Sequence, residues 1–315
     1  MSIAKPDDHT LRIGTRGSKL ALWQAGHVAG LLRRAHPGLR VELTVIKTKG
    51  DTISDVALPK LGDKGVFTKE LEAALLAGEV DICVHSMKDL PTQLPDGLDV
   101  AAMLTRADVR DVLVAAPGTT LASLPTGARV GTSALRRLAQ MRLLRSDLHY
   151  VDLRGNVDTR IDKVQGGQLD AAVLASAGIC RMGWQVAIAC YLDTAQVLPA
   201  VGQGAIGIEA RVGDERTAGL CKPLNDAATM LTVGIERQVM QVLDGGCQAP
   251  LAALCTLDGG MLELTAFVAV PDASRVARTR QNAAVSEAGA LVKAAVADLL
   301  AQDADAIMAE AGSLA

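Results

Sequence analysis

A thiol, a carboxylate and a scattered set of arginines are the chemically equipped residues of this chain, and each sits where the backbone turns. Cys247 lies in Leu243-Asp244-Gly245-Gly246-Cys247-Gln248-Ala249-Pro250, a glycine hinge closed by a proline after a helix-like run ending near Val242. Flanking glycines free the backbone and bare the sulfur, whereas a cysteine used only for packing belongs in an apolar strand or helix. The thiol therefore reads as presented, fit to anchor something, with a small residue in a tight turn as the plainer alternative. Arginines recur beside turn glycines and helix starts, in Thr15-Arg16-Gly17-Ser18, Ser133-Ala134-Leu135-Arg136-Arg137 and Arg154-Gly155-Asn156, with Arg160 and Arg181 further on. Singly, each reads as a solvated surface arginine. Together, at about 1.5–3 kcal/mol for each charge-assisted hydrogen bond, they could hold a ligand bearing several carboxylates.

Asp89 follows an apolar strand in Val84-His85-Ser86-Met87-Lys88-Asp89-Leu90-Pro91. Alone it reads as an Asx turn or a surface ion pair. In a cleft crowded with arginines it would stay ionised and could stabilise a cation or organise N–H donors. No histidine is placed by sequence as a base for Cys247, and His85 could reach it only through tertiary folding. His9, His27, His36 and His149 lack metal-ligand spacing, and the six cysteines form no C-x-x-C pair, so neither a metal site nor a disulfide framework is expected.

The 315 residues carry a net charge of −3 and are 49% hydrophobic but only 2% aromatic. This balance suits a globular protein of two or three domains and argues against a general binder of nucleic acid or anionic membrane, so anion recognition must be local. Without an apolar run of about 18 residues or a signal-like start, a cytoplasmic protein is expected.

The elements that would position these residues come in two copies. Leu11 to Gly14 reads as a strand, Ser18 as the N-cap of a helix from Lys19 to about Ala35, and Arg40 to Thr48 as a second strand. A long loop over 48–65, a helix from Phe67 to Ala77 and a buried strand at Val80 to Val84 follow. From Ala128 the plan repeats: Arg129-Val130-Gly131-Thr132-Ser133 parallels Arg12 to Arg16, a helix spans Ala134 to Leu144, a strand spans His149 to Leu153, and Gly167 to Leu174 echoes Gly78 to His85. Two related α/β halves are implied, with facing helix N-termini that offer backbone N–H groups to carboxylates or phosphates, and a cleft between them as the site.

Gly202-Gln203-Gly204-Ala205-Ile206-Gly207 satisfies G-x-G-x-x-G, but Pro199 precedes it and Ile206 to Ala210 alternates like a strand, so a dinucleotide site is rejected and the glycines are read as a hinge. From about Asp226 a helix to Val242, strands at Leu251–Leu257 and Met261–Val270 and a long amphipathic helix define a smaller α+β domain. Its Gly-Gly-Cys loop would have to reach into the cleft.

Seven runs, Leu11 to Arg16, Lys64-Gly65-Val66-Phe67, Val84 to Pro91, Gly131 to Arg137, Leu153-Arg154-Gly155-Asn156-Val157, Leu198 to Gly204 and Gly245 to Pro250, closely resemble the porphobilinogen deaminase family, in order, over about residues 10 to 310. The resemblance implies two α/β domains like periplasmic binding proteins, 8–104 with 205–222 and 110–198, and a C-terminal α+β domain over 227–315. It implies a dipyrromethane cofactor held by thioether to Cys247. Four porphobilinogen units would be joined to that primer, each losing ammonia, before hydrolysis releases hydroxymethylbilane. By position, Asp89 would be catalytic, bonding pyrrole N–H groups and stabilising the cation formed as ammonia leaves. Lys88, Asp89, Ser133, Arg136, Arg137, Arg154 and Gly155 would hold the cofactor, and Arg16, Ser18, Arg154, Arg160, Arg181 and Gln203 the substrate. Lys64 and Phe67 would belong to a loop over the cleft, Thr105 to Arg110 and Pro199 to Gly204 would act as hinges, and the protein would be a monomer. Ala134 departs from a serine common in the family, and Cys180 from a polar residue.

Two other readings of the residues stay open. A non-enzymatic two-lobed sensor of a small organic anion would have no use for the Gly-Gly-Cys loop, and a thiol-dependent acyl transferase or hydrolase would need a base beside Cys247.

Overall fold

A computed structural model describes residues 9–48, 68–245 and 249–314. Lys64, Phe67 and Cys247, with most of the 48–65 loop, lie outside the described residues.

The first sheet has the order β2-β1-β3-β10-β4. It takes β1 (Thr10–Thr15), β2 (Arg40–Val45), β3 (Ile82–Ser86), β4 (Leu98–Met103) and, from far along the chain, β10 (Ile206–Arg211). The second has the order β7-β6-β8-β5-β9, from β5 (Asp111–Ala115), β6 (Arg129–Gly131), β7 (His149–Val151), β8 (Ala171–Ala175) and β9 (Ile188–Tyr191). Matched strand for strand, the two orders are the same. In each, three strands run parallel and the strand delivered by a crossing from the other half, β10 or β5, runs antiparallel between its neighbours. The repeat extends to side chains. Asp81 accepts from the Arg12 backbone N–H (2.8 Å) and guanidinium (2.8 and 3.1 Å), and Asp170 treats Arg129 the same way (2.7, 3.3 and 3.4 Å).

Helices cover both sheets: α1 (Lys19–Ala35) and α2 (Lys69–Leu76) on the first, and α3 (Leu135–Leu144), α4 (Val157–Gln165) and α5 (Ser176–Arg181) on the second. α1 starts where expected, with Ser18 Oγ accepting from Ala21 N (3.3 Å), and buries Ala25, Val28, Ala29 and Leu32 at helical spacing against Leu11, Ile13 and Ile82. α6 (Glu215–Cys221) follows β10 with Asp214 as its cap.

The C-terminal part is α+β, as read. α7 (Ala227–Val242), α8 (Ala288–Leu300) and α9 (Ala304–Leu314) surround an antiparallel sheet of β11 (Leu251–Asp258), β12 (Met261–Ala269) and β13 (Val276–Ala284). Their core runs from Ile235 and Val239 through Leu262 and Leu264 to Leu291, Val292, Ala295 and Leu299. The long helix does not follow β12 directly, as expected; β13 intervenes. Its buried positions are the small Ala277 and Thr279 between exposed arginines, which leaves little apolar alternation to read.

The glycines of Gly202-Gln203-Gly204-Ala205-Ile206-Gly207 have a packing explanation. Gly202 (φ +69°) and Gly204 (φ +89°) adopt left-handed backbone, and a Cβ at Gly204 would fall 2.6 Å from the Ala107 carbonyl oxygen. A Cβ at Gly202 would fall 2.9 Å from that of Met87, and one at Gly207 would collide with the Met87 sulfur. The buried Met87 is thereby seated, and with it the turn that presents Lys88 and Asp89.

Candidate active site

The carboxyl end of β3 runs into a single 3-10 turn, Met87–Asp89, that faces the second sheet. Arg237 of α7 pins the chain just beyond it, donating to the carbonyls of Leu90 (3.0 Å) and Pro91 (2.6 Å). A cavity of about 80 Å³ opens there, lined among others by Ser86, Lys88, Arg137, Arg160, Arg181 and Gln203. Its walls come from the ends of β3 and β8, the first turns of α1, α3 and α4, α5 and the return crossing at 203–205. Lys19 of α1 and Asp158 of α4 form an ion pair (2.8 Å) between the two halves.

Four cations thus share one small cavity. Burial, reinforced by Arg137 and Arg136, brings Lys88 down to about 8 against the opposing pull of Asp89 and Asp111. Burial lowers Arg160 to about 10, helped by Arg137 and opposed by Asp89 and Asp152, and burial alone lowers Arg181 to about 10. Cations held below their usual values favour an incoming anion. Arg160 Nε donates to Gly155 O (2.7 Å) and Arg181 Nη2 to Gly204 O (2.6 Å), bonds that aim these side chains without neutralising them. Gly155 (φ +105°) makes the tight turn ahead of α4.

Arg136 and Arg137 begin α3 and are buried together. Arg137 donates to Asp111 (2.7 Å) and to Val173 O (3.1 Å), while its Nε has no hydrogen-bond partner. It fits a ligand oxygen. Arg136 is engaged by Asp111 (2.7 and 3.3 Å), Leu198 O (2.8 Å) and Gln203 Oε1 (3.1 Å), and it is not among the cavity-lining residues. Gln203 reaches the cavity wall, but its amide is occupied by Arg136, Val109 O (2.8 Å) and Asp111 (2.9 Å). Asp111 is therefore the knot of the site, a residue that sequence reading missed. An acid opening the apolar run Asp111-Val112-Leu113-Val114 was the available signal, because a buried carboxylate demands partners.

The remaining expected residues lie around this centre. Ser133 Oγ donates to Leu153 O and accepts from Leu153 N (3.1 Å), joining α3's entry to the strand end. Arg154 pairs with Asp152 (2.7 Å), Ser18 caps α1, and Arg16 is partly buried after β1. None of these four is among the residues lining the cavity. Asp89 is exposed beside it, close enough to pull on both Lys88 and Arg160. With Ala134 in the N-cap position, α3 has no side-chain cap. On the C-terminal side, α7 ends with Asp244 in the left-handed region (φ +49°) and Gly245 N bonded to Met240 O (2.8 Å), two residues before Cys247.

Paired α/β sheets of matching strand order, with a cationic cavity where their strand and helix ends meet, define a two-lobed α/β protein. Residues 11–219 match the porphobilinogen deaminase, dipyromethane cofactor binding domain, and residues 230–301 match the porphobilinogen deaminase, C-terminal domain. The porphobilinogen deaminase of Syntrophobacter fumaroxidans is 47% identical over 303 residues, covering 96% of this chain and 98% of that protein. That of Roseiflexus sp. (strain RS-1) is 49% identical over 300 residues, covering 95% and 99%. The chain belongs to the porphobilinogen deaminase family. Among solved structures, the methionine binding protein MetQ is similar at 16% identity and a TM-score of 0.43, covering 74% of this chain and 91% of that one.

Proposed function

We propose that this chain, a transferase of tetrapyrrole biosynthesis, joins four porphobilinogen units on a dipyrromethane primer held by thioether to Cys247. The observation that supports this most is the grouping of Lys88, Arg137, Arg160 and Arg181 around one cavity beside Asp89. Dipyrromethane, with an acetate and a propionate on each ring, fits such a donor set, and the partnerless Arg137 Nε suits one of those carboxylates. When bound, it supplies the pyrrole carbon to which the first substrate is joined.

The protein's own residues then divide the work. Lys88, Arg137, Arg160 and Arg181 neutralise carboxylates, each charge-assisted bond contributing about 1.5–3 kcal/mol. Asp89 accepts hydrogen bonds from pyrrole N–H groups and balances the positive charge that develops on the substrate as ammonia leaves. Arg136, Ser133, Gly155 and Gln203 hold the walls in place, while Arg16, Ser18 and Arg154 meet carboxylates of a longer product.

The chain is divided into domains at 8–104 with 205–222, 110–198 and 227–315, and the crossings at 105–110 and 199–204 act as hinges. Both crossings contact the Asp111 knot, through Val109 and through Gln203. No helix among the described residues is long and apolar enough to cross a membrane. On the family resemblance, the chain is assigned to the cytoplasm as a monomer.

The test is Asp89→Asn. The variant keeps its circular dichroism and its primer, while kcat for hydroxymethylbilane formation falls by about 10²–10³. A kcat within about threefold of wild type would reject this role for the carboxylate.

A further inference from the structure

A second cluster of reactive side chains lies on the α2-facing side of the first sheet, apart from the cavity. Side chains alternate along a strand, so Cys83 and His85, two apart on β3, share one face. β10 runs antiparallel beside β3 with Glu209 directly opposite Cys83, which puts Glu209 on that face and diagonal to His85. The His85 Nε2 to Glu209 Oε2 distance is 2.9 Å. Cys83 and Glu209 are 0% exposed and His85 6%. A sulfur, an imidazole nitrogen and a carboxylate oxygen, one from each residue, lie within 4.8 Å of one another.

A plain His–Glu pair accounts for only part of this. Glu209 Oε1 has no hydrogen-bond partner, and neither has Oε1 of Glu72, a buried residue on the covering helix α2. Buried carboxylate oxygens without a donor are costly, and the one on Glu209, beside a thiol and an imidazole, calls for a cation, with Glu72 near enough to act electrostatically on Cys83 and Glu209.

We propose that Cys83, His85 and Glu209 form a buried site for one divalent transition-metal ion, with Glu72 supplying a further carboxylate. The donor set of one sulfur, one nitrogen and carboxylate oxygen suits zinc. With bonds of about 2.0–2.3 Å, ligand atoms around four-coordinate zinc stand roughly 3.5 Å apart, so side-chain rotation has to bring the farther atoms in by up to about an ångström while the 2.9 Å His85–Glu209 contact opens. Burial, with Glu209 and Glu72 as negative neighbours, holds the Cys83 thiol well above its usual value, so metal binding displaces its proton to solvent. Gly14 leaves the sulfur its space, since a Cβ there would fall 2.9 Å from Sγ. The bound ion would clip β3, whose end carries Lys88 and Asp89, to β10. The spacing is Cys-x-His on a strand with the third ligand 124 residues away, which a search for C-x-x-C pairs passes over.

The probe is Co²⁺, titrated into full-length protein after treatment with a chelator. One equivalent binds, with a near-ultraviolet thiolate-to-cobalt charge-transfer band and the intense visible bands of four-coordinate cobalt, and Zn²⁺ displaces it. Cys247→Ser keeps these signals. Cys83→Ser loses the charge-transfer band and binds at least about 100-fold more weakly, and Glu209→Gln also binds more weakly. Absence of stoichiometric binding to folded wild type, or a charge-transfer band that survives Cys83→Ser, overturns the proposal. Should Cys83→Ser fail to fold, zinc-edge X-ray absorption of zinc-loaded Cys247→Ser decides: one sulfur among nitrogen and oxygen neighbours supports the site, and a shell without sulfur overturns it.

Discussion

Replacing Asp111 with asparagine should damage this protein more than any surface charge change, because one fully buried carboxylate holds two buried guanidiniums and an amide. Its oxygens accept from Arg136 (2.7 and 3.3 Å), Arg137 (2.7 Å) and Gln203 (2.9 Å). The asparagine side chain has nearly the same volume, so the change is one of charge, from a local net of one positive to two in a buried site. Removing one partner of a buried ion pair costs about 3–5 kcal/mol. Against a typical total of about 5–15 kcal/mol, that is a large fraction. Urea unfolding of wild type and Asp111→Asn, with amide exchange of β5 as the local probe, measures it. The guanidiniums hold the Asp111 carboxyl below its usual 3.8, so its contribution is full above that value and is lost as pH falls. The gap between the two proteins should therefore be complete at pH 7 and narrow below about pH 4. A loss under about 1 kcal/mol at pH 7 would refute the reasoning.

Glu236, 0% exposed, plays the same part where the C-terminal helix meets the outgoing crossing, accepting from Arg106 (2.6 and 3.0 Å), Gly202 N (2.8 Å) and Cys255 N (2.9 Å). Glu236→Gln should cost about 3 kcal/mol in urea unfolding, and faster amide exchange at Gly202 and Cys255 should accompany it. Lys88, held at about 8, is charged below that pH and neutral above it, so kcat/KM for porphobilinogen should fall on an alkaline limb near pH 8. Lys88→Arg should remove that limb, and an unshifted limb in the variant would assign it to another group.

The α/β class was legible because local signals agreed with the fold: Ser18 before a helical run, apolar strands, and Arg12 and Asp81 recurring as Arg129 and Asp170. β13 was not, since its core-facing residues are as small as Ala277. At the site, Arg137, Arg160 and Arg181 were named from turns, caps and strands and Lys88 from the family resemblance, and all four line one cavity. What sequence could not separate was Arg136 from Arg137. Neighbours on one helix turn point about 100° apart, and only the position of Asp111 makes one a strut and the other a wall of the cavity. The roles of Asp111 and Glu236 were out of reach for a related reason: their partners lie at separations of 19 to 130 residues.

The proposed activity depends most on a covalent oligopyrrole attached at position 247, and intact mass spectrometry reads this directly. Protein from cells that make porphobilinogen should exceed its sequence mass by one dipyrromethane, and Cys247→Ser from the same cells should show the sequence mass alone. An unmodified wild type, or a variant that keeps the added mass, would contradict it.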